Sequence, residues 1–558
     1  MSWRGWTRVL GMFGLGHGAM AQEAPDAILD VLADELQRAM SERAQAASPP
    51  YFVAAEIEDT ASITLRAEDG ALHGVNRQSF RRVDVDVRLG TPSLDSSHAL
   101  RTGEDDRVTA GRALPIGEDL GVLRRDLWRE IDASFKLVEK RWPRVLADAR
   151  TLVGEEPSWD LAPAPVVVDV GGIAALPDVE AAWVPVLRAV SATLAEGGIV
   201  RDGAVELSAS ATTSRFASTE GSRIRQSRLQ LTLSVSLDTV ADDGSVLDLS
   251  TIFVATSPEG LPSPDRLAAE VVALRDQLVA LRAAPEQEPY SGPVLLSDRA
   301  AGVFFHEVFG HRMEGHRLKR VDNAQTFRSR VGTPILPSFL SVVDDPTLKT
   351  RLGTPLNGAY AYDDEGVAAQ RVELVRNGVL VGFLQSRSTV TANDRSNGHG
   401  RRSSGRAPVT RQGNLIVESA VALSDDALRQ RLRALAKDRG LPYGLYVDRI
   451  QGGFTFTDRG TPNAFNVDVL VAYRVFVDGR PDELVRGVDL IGTPLEAFGQ
   501  IVAAGEPTSL FNGVCGAESG WVPVSAVAPP VLVRQLETQR KEKGQERPPL
   551  LPPPVEAR

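Results

Sequence analysis

His306, Glu307 and His311 bring two imidazoles and a carboxylate into six consecutive residues, His306-Glu307-Val308-Phe309-Gly310-His311. These are the donor types of a hydrolytic metal site. Imidazoles hold zinc with a position left for water, and a neighbouring carboxylate takes the proton as that water attacks a carbonyl. The chain has seven histidines in 558 residues, yet His306, His311 and His316 all fall between positions 306 and 316. The spacing imposes a structural demand. Histidines four apart on a regular helix differ by about 40° around the axis, whereas five apart they differ by roughly 140° and cannot face one cation. The sequence therefore predicts irregular backbone over 308–311. Either a π turn brings residues i and i+5 into register, or the helix breaks at Gly310.

A third ligand is needed, and Cys515 is the only cysteine in the chain, so no intrachain disulfide is available to it. A small buried hydrophobe is its bland reading. As a thiolate it would complete a sound zinc ligand set with two imidazoles. Glu314 and His316 compete for the same role. Either of them as a fourth ligand would close the site and make the metal structural rather than catalytic.

These residues need elements to position them. Pro293–Leu296 reads as a short strand, and Ser297-Asp298 as the N-cap of the helix that carries the histidines. Upstream, residues 25–46 place Ile28, Leu29, Leu32, Leu36 and Met40 at helical spacing. A second helix spans about 119–141, with Leu127, Trp128, Ile131, Phe135 and Val138 on its apolar stripe. Others cover about 178–196 and 264–283. Alternating segments at Ile63–Arg66, Val83–Leu89 and over 204–256 read as strands with one buried face. The polar stretch Ala284-Pro285-Glu286-Gln287-Glu288-Pro289 marks a domain boundary. Beyond it, Val372–Val375, Asn377-Gly378 and Val379–Leu384 form a hairpin signature with a primed turn. Residues 386–414 read as a long polar loop, and strands dominate from Gly444 to about 535. The fold class is α+β in two domains, with an N-terminal mixed sheet and long helices over 22–289. Residues 290–540 form a mainly antiparallel β domain carrying the motif helix.

Length alone calls for more than one core. Apolar residues at 42% and charged residues at 24% are globular values, and the net charge of −11 offers no basic field for nucleic acid. Arg4 and Arg8, the apolar stretch Val9–Leu15 and Ala19-Met20-Ala21 follow the pattern of a secretory signal over residues 1–21. Export, to the periplasm or outside, is the expectation; a cytoplasmic location follows if that pattern is not a signal. No stretch is long enough in apolar residues for a helical membrane span. The Pro-rich tail from Lys541 to Arg558 reads as disordered.

The sequence resembles the TldD/PmbA family of zinc peptidases, the modulators of DNA gyrase, and its catalytic TldD-type member in particular. The resemblance rests on His306–His311 with Glu314-Gly315, Tyr360-Ala361-Tyr362-Asp363-Asp364-Glu365-Gly366, Asn377-Gly378-Val379-Leu380, Asn397-Gly398-His399-Gly400-Arg401 and Gly513-Val514-Cys515-Gly516. It covers about 290–530. It implies zinc on His306, His311 and Cys515, with Glu307 activating water, in a site enclosed between subunits and reached by unfolded peptides. It also implies a dimer, either of identical chains or with a metal-free homologue. The signal-like start departs from the family's usual cytoplasmic setting. The alternative is a non-catalytic peptide-binding or partner subunit with a structural metal. Hydrolysis of a non-peptide amide or ester is a third reading of the same residues.

Three further features have competing readings. Asp363-Asp364-Glu365 is a second metal site, a pole for a peptide's amino terminus, or a turn whose carboxylates cap backbone N–H groups. The arginines of 386–412 clamp a substrate or lie solvated. Gly452-Gly453 with Phe454-Thr455-Phe456 is an exposed edge for an added strand, or an interior bulge.

Overall fold

A computed structural model of the chain describes residues 26–100, 111–150, 158–194, 196, 198–319, 326–455 and 464–541. The signal-like segment and the tail beyond Lys541 lie outside the described residues.

The N-terminal half is built on two very long antiparallel strands, Pro50–Glu68 and Ala71–Thr91, which turn at Asp69 (φ 47°) and Gly70 (φ 78°). The two segments expected at 63–66 and 83–89 are thus parts of one hairpin. Strands Asp202–Ser218, Arg223–Val240 and Val246–Ala255 extend it into an eight-stranded sheet. One face carries helices. Val53, Ala55 and Ile57, then Ile63, Leu65 and Ala67, alternate towards it along a single strand. The first set packs beneath helices Ala27–Arg43 and Leu120–Ala149, the second beneath Glu180–Ala192 and Pro264–Ala283.

The first helix forms as read, capped by the Asp26 carboxylate on the Ile28 and Leu29 amides. In the second, Trp128 is half-exposed and leaves the stripe that buries Leu127, Ile131 and Phe135. One residue along a helix turns a side chain by about 100°, so Leu127 and Trp128 cannot share a narrow face. That helix also runs through Pro143 to Ala149, beyond the expected end near 141.

The C-terminal half holds a seven-stranded sheet containing Ser291–Leu296, Tyr443–Thr455, Phe465–Phe476 and Val531–Arg540. A six-stranded sheet runs in the spatial order Val379–Leu380, Val372–Arg376, Leu340–Asp344, Asn414–Ser419, Gly520–Val527, Phe511–Ala517. The fold is α+β, mainly antiparallel in this half. Asn377 (φ 48°) and Gly378 (φ 82°) form the primed turn, although the second strand stops at Leu380 rather than Leu384. Between the two sheets lies the motif helix Asp298–Phe304, N-capped by the Ser297 hydroxyl on the Ala300 amide. Phe304, Phe305 and Phe309 are fully buried against Phe498, with centroid separations of 5.3–5.9 Å. Burying each ring contributes on the order of 1.5–3 kcal/mol, which fixes the helix rotation.

The two halves meet across the helix-free face of the N-terminal sheet. Arg402 bridges Glu56 (2.7 Å) and Asp84, while Arg387 makes a two-point pair with Glu220 at 2.7 and 2.8 Å. The loop 386–412 is therefore neither a solvated arm nor a substrate clamp at these positions. Arg387 and Arg402 bind the N-terminal half.

Candidate metal centre

Backbone irregularity falls where the spacing demanded it. Phe305–Phe309 forms a π turn, closed by the Gly310 amide on the Phe305 carbonyl, and Gly310–Met313 continues as a 3₁₀ turn. Five residues in the wide turn carry His311 back over His306, and their rings stand 5.2 Å apart at 70°. Gly310 does not simply break the helix. A Cβ there would lie 1.8 Å from Oε1 of Gln412, so the position must be bare for Gln412 to pack against the turn. Gln412 in turn donates to the His306 carbonyl at 3.3 Å.

Cys515 arrives from the other side of the site, on Phe511–Ala517, the edge strand of the six-stranded sheet. Its Sγ lies 3.4 Å from His311 Nε2, and the ligand atoms of His306, His311 and Cys515 are all within 4.8 Å of one another. Among the described residues this is the one group of three such side chains arranged to hold a metal ion. Glu307 borders it, with Oε2 3.7 Å from His311 Nε2.

The rival ligands stand elsewhere. Glu314, fully buried, reaches His311 Nδ1 with both oxygens at 3.2 Å, leaving Nε2 for the centre. A carboxylate in that place fixes the ring's orientation and tautomer and raises its basicity. Arg317 donates to Glu314 at 2.8 Å and to Glu518 at 3.1 Å. His316 Nε2 is bound to Glu518 and stays out of the centre.

Charge within the trio is set by proximity. Burial would raise the Cys515 thiol, but His311 and His306 hold it well below its ordinary range. Burial would likewise discharge His311, yet the Cys515 sulfur and Glu314 push it up to about 10. His306 is raised against its burial, chiefly by the same sulfur. Burial shifts Glu307 upwards, partly offset by His306 and His311. A thiol pushed down beside imidazoles pushed up is a donor set that a cation in the protons' place would satisfy. The buried His306 Nδ1 also has no hydrogen-bond partner among the described residues. Two imidazoles and one sulfur suit a soft divalent ion such as zinc.

Residues 289–540 match the family described as the PmbA/TldA metallopeptidase C-terminal domain. Residues 289–540 thus carry the C-terminal domain of the TldD/PmbA family. It is 31% identical to a metalloprotease of Archaeoglobus fulgidus over 276 residues, which are 50% of this chain and 59% of that protein. With a zinc metalloprotease TldD homolog of Saccharolobus solfataricus it shares 24% over 247 residues, 44% of this chain and 51% of the relative. The match thus spans about half to three-fifths of these relatives' lengths. The crystal structure of TldE from Thermococcus kodakarensis has the same fold, with a TM-score of 0.61 over 92% of this chain and all of that one, at 13% identity.

Other family-matching stretches have structural roles. Asp363 accepts from the Glu365, Val367 and Gly400 amides, Asp364 from Arg402 N and Glu365 from Arg387 N. These carboxylates cap a turn. His399 is buried against Asp344 at 3.2 Å and Asn397 at 3.0 Å and is not part of the trio. Gly452-Gly453 lies in a bulged stretch that pairs with Phe465–Phe476, with register shifts at Val447, Arg449 and Ile450. It is not a free edge on that side. Sequence reading missed Arg411, which is fully buried beneath Cys515, and Gln412 against Gly310. Neither belongs to an apolar period or a ligand pattern, so no local signal distinguished them.

Proposed function

We propose that this chain is a zinc-dependent peptidase of the TldD/PmbA family that hydrolyses unfolded peptide segments, with His306, His311 and Cys515 as ligands and Glu307 as general base. The observation that carries this reading is the convergence of Cys515 on His306 and His311, some two hundred positions earlier in the chain, with Glu314 and His316 engaged elsewhere. A three-ligand set supports catalysis over a closed structural site.

His306, His311 and Cys515 would hold zinc, which when bound would supply Lewis acidity towards a carbonyl and lower the pKa of water. Glu307 stands beside the ligand atom of His311 with its proton affinity raised by burial, which suits a group that accepts a proton from water and passes it to the leaving amine. Glu314 holds the His311 ring in place through Nδ1. The aromatic packing of Phe304, Phe305 and Phe309 keeps the wide turn fixed during that exchange.

The names of the relatives support a protease; a dimer, of identical chains or with a metal-free homologue, is part of the proposal. The division near residue 289 and export through residues 1–21 belong to the same proposal; cell fractionation tests the latter. The principal test is Glu307→Gln. It should bind zinc with unchanged stoichiometry and cleave a casein-like unfolded substrate about 10²–10⁴-fold more slowly. Wild-type turnover at saturating zinc would refute the assigned base.

A further inference from the structure

Arg411 is a guanidinium with almost no solvent contact, set directly behind the thiol. Its Nη2 donates to Cys515 Sγ at 3.1 Å and to the Cys515 carbonyl at 2.9 Å. Its Nη1 donates to Ser519 Oγ and the Gly520 carbonyl, both at 3.1 Å, and so grips the tip of the same hairpin. Its Nε lies 3.4 Å from Glu314 Oε1, the carboxylate that orients His311. One planar group thus touches the sulfur ligand, the backbone carrying it and the residue that orients a histidine ligand.

Only a rigid fork of five donors can serve these partners together; an ammonium offers a compact charge without that geometry. A charge-assisted N–H···S bond withdraws electron density from a thiolate, which lowers its donor strength to a metal. The pair of contacts at Sγ and O also fixes the direction from which the sulfur points.

We infer that Arg411 is a positioning residue of the metal centre. It aims the Cys515 sulfur at the imidazoles, tempers the thiolate's electron donation and couples its placement to the His311–Glu314 pair. The inference rests on the ligand set proposed above and concerns a residue outside it.

The test uses the full-length chain loaded with cobalt(II) and compares wild type with Arg411→Lys and Arg411→Met. Cys515→Ser serves as the control that removes the sulfur-to-cobalt charge-transfer band. In Arg411→Met the band should move to lower energy, because the sulfur has lost its hydrogen bond, and zinc affinity measured against a chromogenic chelator should fall about 10–100-fold, because the lost aim of the sulfur outweighs its stronger donation. Arg411→Lys should lie between the two on both measures. A merely structural role would lower occupancy but leave the band of the bound fraction in place. If Arg411→Met does not fold, Arg411→Lys decides alone: a band and affinity equal to wild type overturn the inference. Absence of the band in the wild-type chain would instead overturn the ligand set on which it rests.

Discussion

The His311 ring meets the proposed cation position through Nε2 and a buried carboxylate through Nδ1, so its ligand behaviour is governed as much by Glu314 as by itself. Glu314→Gln should keep the chain folded through its remaining contacts yet lower zinc affinity about 10–100-fold, read by competition with a chromogenic chelator. His306, Glu307, His311 and Cys515 could be picked from the sequence because rare side chains of the right chemistry either cluster or stand alone. Arg411 could not. Arginine is abundant, and nothing in the run around it distinguishes a guanidinium under a sulfur from Arg387 or Arg402, which pair with Glu220 and Glu56 across the seam between the halves. Trp128 shows the opposite failure. Its type invited burial, but its place next to Leu127 on the helix turned it outward.

Among the elements, the wide turn at Phe305–Phe309 was legible as a conflict: five-residue spacing cannot serve one cation on a regular helix, so the backbone had to depart from regularity there. The reason for Gly310 was not legible, since it lies in Gln412, more than a hundred positions away. Gly310→Ala should destabilise the protein by about 1–3 kcal/mol, as overpacking does, when measured by denaturant unfolding. Combined with Gln412→Ala, which removes the opposing amide, the added cost should shrink; additive losses would mean the two residues do not press on one another. The long helices and the Asn377-Gly378 turn were equally readable, because their signals are local. The order of strands in the six-stranded sheet was not, because pairing Asn414–Ser419 with Gly520–Val527 is a long-range choice.

At the scale of the molecule, the seam between halves gathers carboxylates on the helix-free face of the N-terminal sheet. Burial, reinforced by neighbouring Glu56, pushes Glu58 up to about 7 from an ordinary 4.5. Between those values the folded chain holds a proton that the unfolded chain has released, so this group's contribution to stability declines as pH rises through the window. Glu58→Gln should flatten that slope when urea unfolding is compared at about pH 5 and about pH 7. Zinc should act at the same scale. A ligand bound only by the folded state raises the melting temperature by mass action, so a chelator should lower it in the wild type and change it little in Cys515→Ser. The arginine-rich loop that binds the seam was hidden in sequence because polar composition reads as solvated until its partners are known.

The sulfur lies on the hairpin Phe511–Val527, which leaves the ribosome some two hundred residues after both imidazoles. Between those two moments a nascent chain carries only the histidine part of the proposed ligand set. On that set, metal acquisition waits until the hairpin has been made and docked against the wide turn.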